Sequence, residues 1–171
     1  VIPLYCYADS FVAIKGGEVK YAKEKESIYD GSYVYEPSTS LGIVYGKKIG
    51  KWLYRIDISQ ERTGTEFQSA FPLPYDGMKL ETMPITLQIG KEYKGLYLYG
   101  GLGMLFNKVE IMKFDEYPCE TTISNSPCLV STIGYKKDIG KWFIFSEIRL
   151  LYSKAEIDIK GYNGIEEDLS N

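Results

Sequence analysis

The chain has 171 residues, of which 44% are hydrophobic and 25% charged, and this size suits a single domain. Its net charge of −3 argues against a basic nucleic-acid-binding surface, and its composition argues against a disordered chain. The sequence contains no histidine, which removes histidine-based acid/base chemistry, Ser-His and Cys-His pairs and most zinc sites. The 16 tyrosines and 17 glycines favour an all-β chain, because Tyr suits half-buried strands and Gly suits tight turns.

The first eight residues are uncharged and end on a small residue, Ala8. This pattern is typical of the end of a secretory signal peptide, so we predict a signal remnant over 1–8 and one domain over 9–171. The alternative is a short first strand of the mature domain, although Pro3 disfavours a strand. No apolar run approaches the roughly 18 residues of a membrane-spanning helix, so a membrane-resident form would have to be a barrel.

From Tyr33 onward, apolar and polar residues alternate with the two-residue period of β-strands. The triplet Gly50-Lys51-Trp52 recurs as Gly140-Lys141-Trp142, and a related tight turn lies midway between them. Short turns are therefore predicted near 47–50, 90–95 and 136–140, and longer polar connections over 24–32, 60–79, 110–127 and beyond 153. Short turns at one rim and long connections at the other predict an up-and-down antiparallel barrel.

Alternation alone leaves open which face points inward, because a soluble lipocalin-type barrel places its apolar face around a ligand. Here the polar face is small and mostly uncharged, as at Gly42, Thr86 and Gly101, which suits a cramped interior better than a solvated surface. Aromatic residues also lie beside the short turns, as an interfacial girdle requires. We assign this girdle to Tyr45, Trp52, Tyr93, Tyr135 and Trp142. The sequence therefore predicts that the apolar face contacts the lipid bilayer.

These features resemble the small eight-stranded outer-membrane β-barrels of Gram-negative bacteria, the opacity-protein and OmpA-like group, over about residues 9–153. The resemblance implies a location in the bacterial outer membrane, with short turns facing the periplasm and long loops facing outside. Single-chain bacterial barrels have even strand numbers, whereas the alternation here gives seven recognisable strands. We therefore expect the eighth strand beyond Asn171, in a truncated part, or else as a short strand over Ala155–Ile159.

Four charged residues fall on the predicted interior face: Arg55, Asp57, Glu147 and Arg149. Opposite charges in a narrow interior must pair, because an unpaired buried charge is very costly. This network either closes and rigidifies the barrel or forms a gate for protons or ions. We favour the closed barrel, because side chains fill the interior of an eight-stranded barrel.

Cys119 and Cys128 each follow a proline in a polar segment that we assign to a loop. Their spacing predicts a disulfide in an oxidising compartment, and the alternative is two free loop thiols. Two thiolates without histidine cannot complete a tetrahedral metal site, so no metal and no cofactor are expected.

These observations predict an outer-membrane barrel of structural or surface-interaction type, without an open pore and without enzymatic activity. The long loops are the candidate contact surface for an extracellular ligand, because specificity commonly resides in loops on a rigid scaffold. The first alternative is a soluble lipocalin-like barrel that binds a small ligand. The second is a lipid-modifying outer-membrane enzyme, a class that relies on histidine. The sequence leaves the oligomeric state open.

Overall fold

The structure of the protein is a computed structural model. It describes residues 2–7, 9–20, 25–28, 31–35, 37–69, 75–113, 120–140, 142–154, 157–160 and 166–168. Within these residues, no helix is long and apolar enough to cross a membrane.

The described part of the chain forms strands connected by turns and irregular segments. In chain order the strands are β1 (Ile2–Tyr7), β2 (Ser10–Val19), β3 (Lys25–Ile28), β4 (Gly31–Tyr35), β5 (Ser38–Ile49), β6 (Trp52–Ser69), β7 (Tyr75–Tyr93), β8 (Leu96–Lys113), β9 (Glu120–Ile123), β10 (Ser126–Ile139), β11 (Trp142–Ser153), β12 (Ile157–Lys160) and β13 (Glu166–Asp168).

Eight of these strands follow one another around a single sheet, in the order β1-β2-β5-β6-β7-β8-β10-β11. Each is antiparallel to its neighbours, and β1 also contacts β11, so the sheet curls back on itself. The hairpin β3–β4 joins the sheet through the far end of β6, and β9, β12 and β13 form a separate small sheet. The predicted all-β, up-and-down antiparallel fold is confirmed.

The eighth strand lies at the beginning of the chain and not at its end. Ile2–Tyr7, which we assigned to a signal remnant, pair with β2 and favour the alternative of a first strand. Pro3 is accommodated because the register shifts between Pro3 and Tyr5, as at a β-bulge, where proline is tolerated. Of the predicted segment Ala155–Ile159, the described residues 157–159 belong to β12, which pairs with β9 outside the main sheet, so they do not supply its eighth strand.

The three predicted short turns connect β5 to β6, β7 to β8 and β10 to β11. Gly50 and Gly140 adopt positive φ angles of 61° and 63°, and Lys94 and Gly95 adopt 52° and 84°. Such angles suit the two-residue turns whose twist matches that of antiparallel strands. The β1–β2 turn lies at the same rim, as the backbone hydrogen bond from Lys48 N to Asp9 O shows.

The long connections are shorter than predicted, because the strands extend into them. The segment 60–79, expected as a loop, is strand as far as Ser69 and again from Tyr75. Period-two alternation weakens in this polar stretch, so the sequence hides the strand ends. Three adjacent strands, β6, β7 and β8, consequently run for 18, 19 and 18 residues and project beyond their neighbours on the side opposite the short turns.

Burial alternates along most of the length of the longer strands, and most of the buried side chains are polar. The exposed fractions are 67% for Leu41, 65% for Leu102 and 68% for Leu150, whereas Asp57 and Thr132 are 0% exposed. An apolar belt therefore surrounds the barrel, and mainly polar side chains line its interior. This distribution is the reverse of that in a soluble barrel.

Candidate functional site: the barrel interior

The four charged residues predicted for the interior all point into it. Arg55 and Asp57 lie on β6, and Glu147 and Arg149 lie on β11. These strands are the fourth and eighth of the sheet order, so they stand on opposite walls of the barrel. Side chains two residues apart on a strand share one face, which brings both members of each pair into the same space.

Arg55 and Glu147 form a two-pronged ion pair across the interior. The Arg55 Nη1 and Nη2 atoms donate to the two Glu147 carboxylate oxygens at 2.7 and 2.8 Å. Arg55 Nη2 also donates to Asp57 Oδ2 at 2.7 Å, and the Tyr97 hydroxyl donates to Glu147 at 3.0 Å. The planar guanidinium thus links two carboxylates from opposite walls.

Arg149 crosses in the opposite direction, from β11 to β6. Its Nη1 donates to Asp57 Oδ1 at 3.2 Å, and its Nη2 donates to Glu61 Oε1 at 2.6 Å. The Ser59 hydroxyl accepts from the same Nη2 at 3.0 Å. Arg149 therefore binds three consecutive inward-facing positions of β6.

Two members of this network, Lys15 and Glu61, are absent from the sequence-based assignment. Lys15 Nζ lies 2.5 Å from Asp57 Oδ2 and 3.6 Å from Glu147 Oε1. The sequence does carry a signal for Glu61, because it continues the inward series that starts at Arg55. Glu61 nevertheless falls in the predicted connection 60–79. Lys15 lies next to the Gly16-Gly17 pair, where the alternation changes phase and the direction of the side chain is hard to predict.

The complete network pairs three cationic with three anionic side chains, all in the described interior: Lys15, Arg55, Arg149, Asp57, Glu61 and Glu147. The Asp57 carboxylate is fully buried and has three cationic partners. Buried charges are tolerated when they are paired and hydrogen-bonded, and this group meets both conditions.

An aromatic layer lies between this network and the short-turn rim. Phe11 packs edge-on against Phe143 with ring centroids 5.3 Å apart, and Phe143 stacks on Phe145 at 6.0 Å. A Cβ atom at Gly46 would collide with the Phe11 ring, so glycine there makes room for the layer. A cavity of about 20 Å³ beside these rings has room for about one water molecule.

The remaining interior wall, formed by β7, β8 and β10, is polar but uncharged at mid-height. Thr132 donates a hydrogen bond to Gln88 at 2.9 Å, and Gln88 donates to Thr86 at 2.9 Å. Gly101 and Gly103 complete this wall, and a Cβ atom on either would meet the backbone of β7. The strands approach one another closely here, and their small residues leave the interior volume to the charged side chains of β6 and β11.

The expected disulfide between Cys119 and Cys128 is not found in the described part of the chain, where Cys128 carries a free and buried thiol. Cys128 lies on β10 and faces the interior, not in a surface loop as we had assumed. Two prolines and a polar segment suggested a loop, but Pro127 lies on the outer face of a strand. Cys119 lies outside the described residues.

The five residues assigned to the aromatic girdle are all exposed and lie in or near the short hairpins: Tyr45, Trp52, Tyr93, Tyr135 and Trp142. The ammonium group of Lys91 lies 4.4 Å from the centroid of the Trp52 ring, and that of Lys94 lies 5.4 Å from the Tyr93 ring. Aromatic rings with cations beside them suit the polar boundary of a bilayer, where one side of each ring is apolar and the other wet.

The fold and the interior together define a class, the small up-and-down β-barrel with an apolar outer belt and a polar core. No family model matches the sequence, and no curated protein matches it. Among solved structures, the chain is similar to the outer membrane protein OprG from Pseudomonas aeruginosa, with a TM-score of 0.61 and 13% sequence identity. The alignment covers 94% of this chain and 86% of that one. The likeness shows a shared fold and does not single out the opacity-protein and OmpA-like group.

Proposed function

We propose that the protein is a β-barrel of the bacterial outer membrane, with a structural or surface-interaction role and without an open pore. The observation that carries this proposal is the belt of exposed apolar side chains around a buried charged core. Soluble monomers rarely expose an apolar surface of that extent, whereas lipid would cover it. The outer-membrane origin of OprG supports the same location.

The interior supports the closed form of the barrel. Side chains from opposite walls meet in the charge network, and the aromatic layer fills the space below it. Ions would have to break several charge-assisted hydrogen bonds to pass, and such bonds are the strong ones in proteins.

The two alternative functions have less support. A soluble ligand-binding barrel needs its apolar face inside, and the burial pattern has it outside. For a lipid-modifying enzyme, the absence of histidine from the sequence removes the usual acid/base group. We therefore propose a protein without enzymatic activity.

The surface-interaction role is assigned to the side opposite the short turns. There β6, β7 and β8 project, and the β3–β4 hairpin and the small sheet of β9, β12 and β13 lie beyond the ends of the shorter strands. Segments carried at one end of a rigid scaffold are a common place for contact with an external ligand.

Fractionation tests the membrane location. The full chain should require detergent for extraction and should migrate differently on gels before and after heating. Extraction by salt alone, without heat-modifiable mobility, would contradict it. Trypsin added to intact cells should cleave on the long-connection side, for example after Lys154, while the turns at Lys51 and Lys94 stay intact.

Planar-bilayer recording tests the closed interior separately. The wild-type chain should give no large and stable conductance. Steady open-channel currents from the folded, heat-modifiable protein would refute the closed barrel while leaving the membrane location in place.

A further inference from the structure

Three lysines occupy equivalent positions on the outer face of the barrel. Lys47, Lys91 and Lys137 each lie two residues before the last residue of β5, β7 and β10, the strands that lead into the three short hairpins. The recurrence places the three lysines at the same distance from the turn in each hairpin.

Each of the three points outward, because its neighbours two residues away are exposed apolar side chains. Lys47 lies between Tyr45 and Ile49, and Lys137 lies between Tyr135 and Ile139, all 40–55% exposed. The residues paired with the three lysines across the hairpins are also exposed and apolar: Tyr54, Leu98 and Ile144. The three lysines therefore interrupt the apolar belt itself.

Neither protein carboxylates nor a watery surface accounts for these positions. Within the described residues, Lys47, Lys91 and Lys137 have no ion-pair partner. Lys136, the neighbour of Lys137 on the other face, pairs with Glu92 at 3.1 Å. A cation on a lipid-facing surface extends its alkyl chain toward the polar boundary, where headgroup phosphates are the available anions.

The charge of the rim agrees with this. Around the three short turns, exposed lysines outnumber carboxylates, although the whole chain carries a net charge of −3. The exposed lysines there are Lys47, Lys48, Lys51, Lys91, Lys94 and Lys137, and the exposed acidic residues are Asp9, Glu92 and Asp138.

We propose that Lys47, Lys91 and Lys137 form three binding positions for the phosphate of anionic phospholipids, in the leaflet on the short-turn side. The girdle rings set the depth of the barrel in that leaflet, and Lys91 above Trp52 shows how a ring and a cation combine at one position. This inference rests on the proposed membrane location.

Spin-labelled lipids measure the effect directly. The full chain is reconstituted in phosphatidylcholine vesicles that contain a trace of spin-labelled phosphatidylglycerol or spin-labelled phosphatidylcholine, and the immobilised fraction of each is compared. We expect phosphatidylglycerol to be favoured by roughly fivefold at a lysine-bearing position in low salt, and less at 1 M salt.

The triple variant Lys47→Gln, Lys91→Gln and Lys137→Gln should bring the preference close to one. The matched control Lys48→Gln, Lys51→Gln and Lys94→Gln removes the same charge from the same rim but leaves the outward lysines, and it should keep most of the preference.

Equal immobilisation of both lipids by the wild type would overturn the inference, and so would equal losses in the two triple variants. Heat-modifiable mobility shows that each variant is folded. Absence of any immobilised lipid around folded wild-type protein would instead refute the membrane location.

Discussion

The charged part of the barrel, β6 and β11 on opposite sides of the interior, and the uncharged wall, β7, β8 and β10 between them, fill the same narrow space in different ways. The first sends long charged side chains across the interior, where Arg55 meets Glu147 and Arg149 meets Glu61. The second carries threonine, glutamine and glycine, with neutral hydrogen bonds along the wall. An eight-stranded barrel has little spare volume. The long charged side chains of β6 and β11 can therefore cross the interior only because the residues of β7, β8 and β10 are small.

The largest loss in the free energy of unfolding should come from removing a member of the charge network. Glu147→Ala leaves the Arg55 guanidinium buried without its main partner and should lower the free energy of unfolding by about 3–5 kcal/mol. Urea unfolding of the full chain in lipid vesicles measures the loss. Glu92→Ala, which removes a carboxylate from a half-buried pair with Lys136 near the short-turn rim, is the control and should cost less, about 1 kcal/mol. Equal losses would show that the interior pair has no special weight.

The second prediction tests whether the wall formed by β7, β8 and β10 requires small residues. Gly103→Ala forces a Cβ against the Ile85 carbonyl and the Thr86 side chain and should destabilise by about 1–3 kcal/mol. Gly100 lies on the same strand, faces outward, and has open space around its Cβ position. Gly100→Ala should therefore be neutral within about 0.5 kcal/mol in the same unfolding experiment. A neutral Gly103→Ala would remove the argument that this wall is tightly packed.

The third prediction concerns the contribution of one neutral hydrogen bond, on the wall formed by β7, β8 and β10, to the free energy of unfolding. Thr132→Val keeps the shape of the side chain but removes the donor to Gln88, and we expect a loss of about 1 kcal/mol. Unfolding free energies of this variant and of Glu147→Ala can be compared directly. If Thr132→Val lowered the free energy of unfolding as much as Glu147→Ala, the charge network would contribute no more to stability than a neutral hydrogen bond.

The smallest effect is expected where a similar ion pair lies outside the interior. Arg62 Nε lies 2.9 Å from Glu81 Oε1, but the Arg62 side chain is 69% exposed. Arg62→Ala should cost about 0.2–1 kcal/mol, and 1 M salt should remove most of the difference from the wild type. A larger loss in the free energy of unfolding that persists in 1 M salt would mean that this exposed ion pair stabilises the protein as strongly as the buried pairs of the interior.

The up-and-down arrangement and the direction of side chains in the clearly alternating segments could be predicted from the sequence, because both follow from the period of two. Trp52 and Ile56 alternate with Arg55 and Asp57, so a single strand shows which residues share a face. Membership of the charge network is harder to predict. Glu61 lies beyond the point where alternation remains visible, and Lys15 lies beside two glycines that obscure the phase.

Two differences between the sequence-based assignment and the structure involve proline, which we read as a sign of irregular structure. Pro3 stands in a strand because the register shifts beside it, and Pro127 stands in β10. Both strands were therefore missed or shortened, and with them the N-terminal eighth strand and the interior position of Cys128. A missing N–H is tolerable at a bulge or a strand end, and local sequence does not reveal which prolines lie there.

The contact between β1 and β11 has a consequence for how the barrel assembles. Along the sheet path, most paired strands are also neighbours in the chain, so they can associate soon after both have emerged. The contact of Ile2–Tyr7 with Trp142–Ser153 joins the first and the last strand of the sheet path, which lie far apart in the sequence. Until that meeting, the sheet keeps two free edges able to pair with other chains. Closure is therefore a late event that depends on both ends at once, and the interval before it is when the protein needs protection from aggregation.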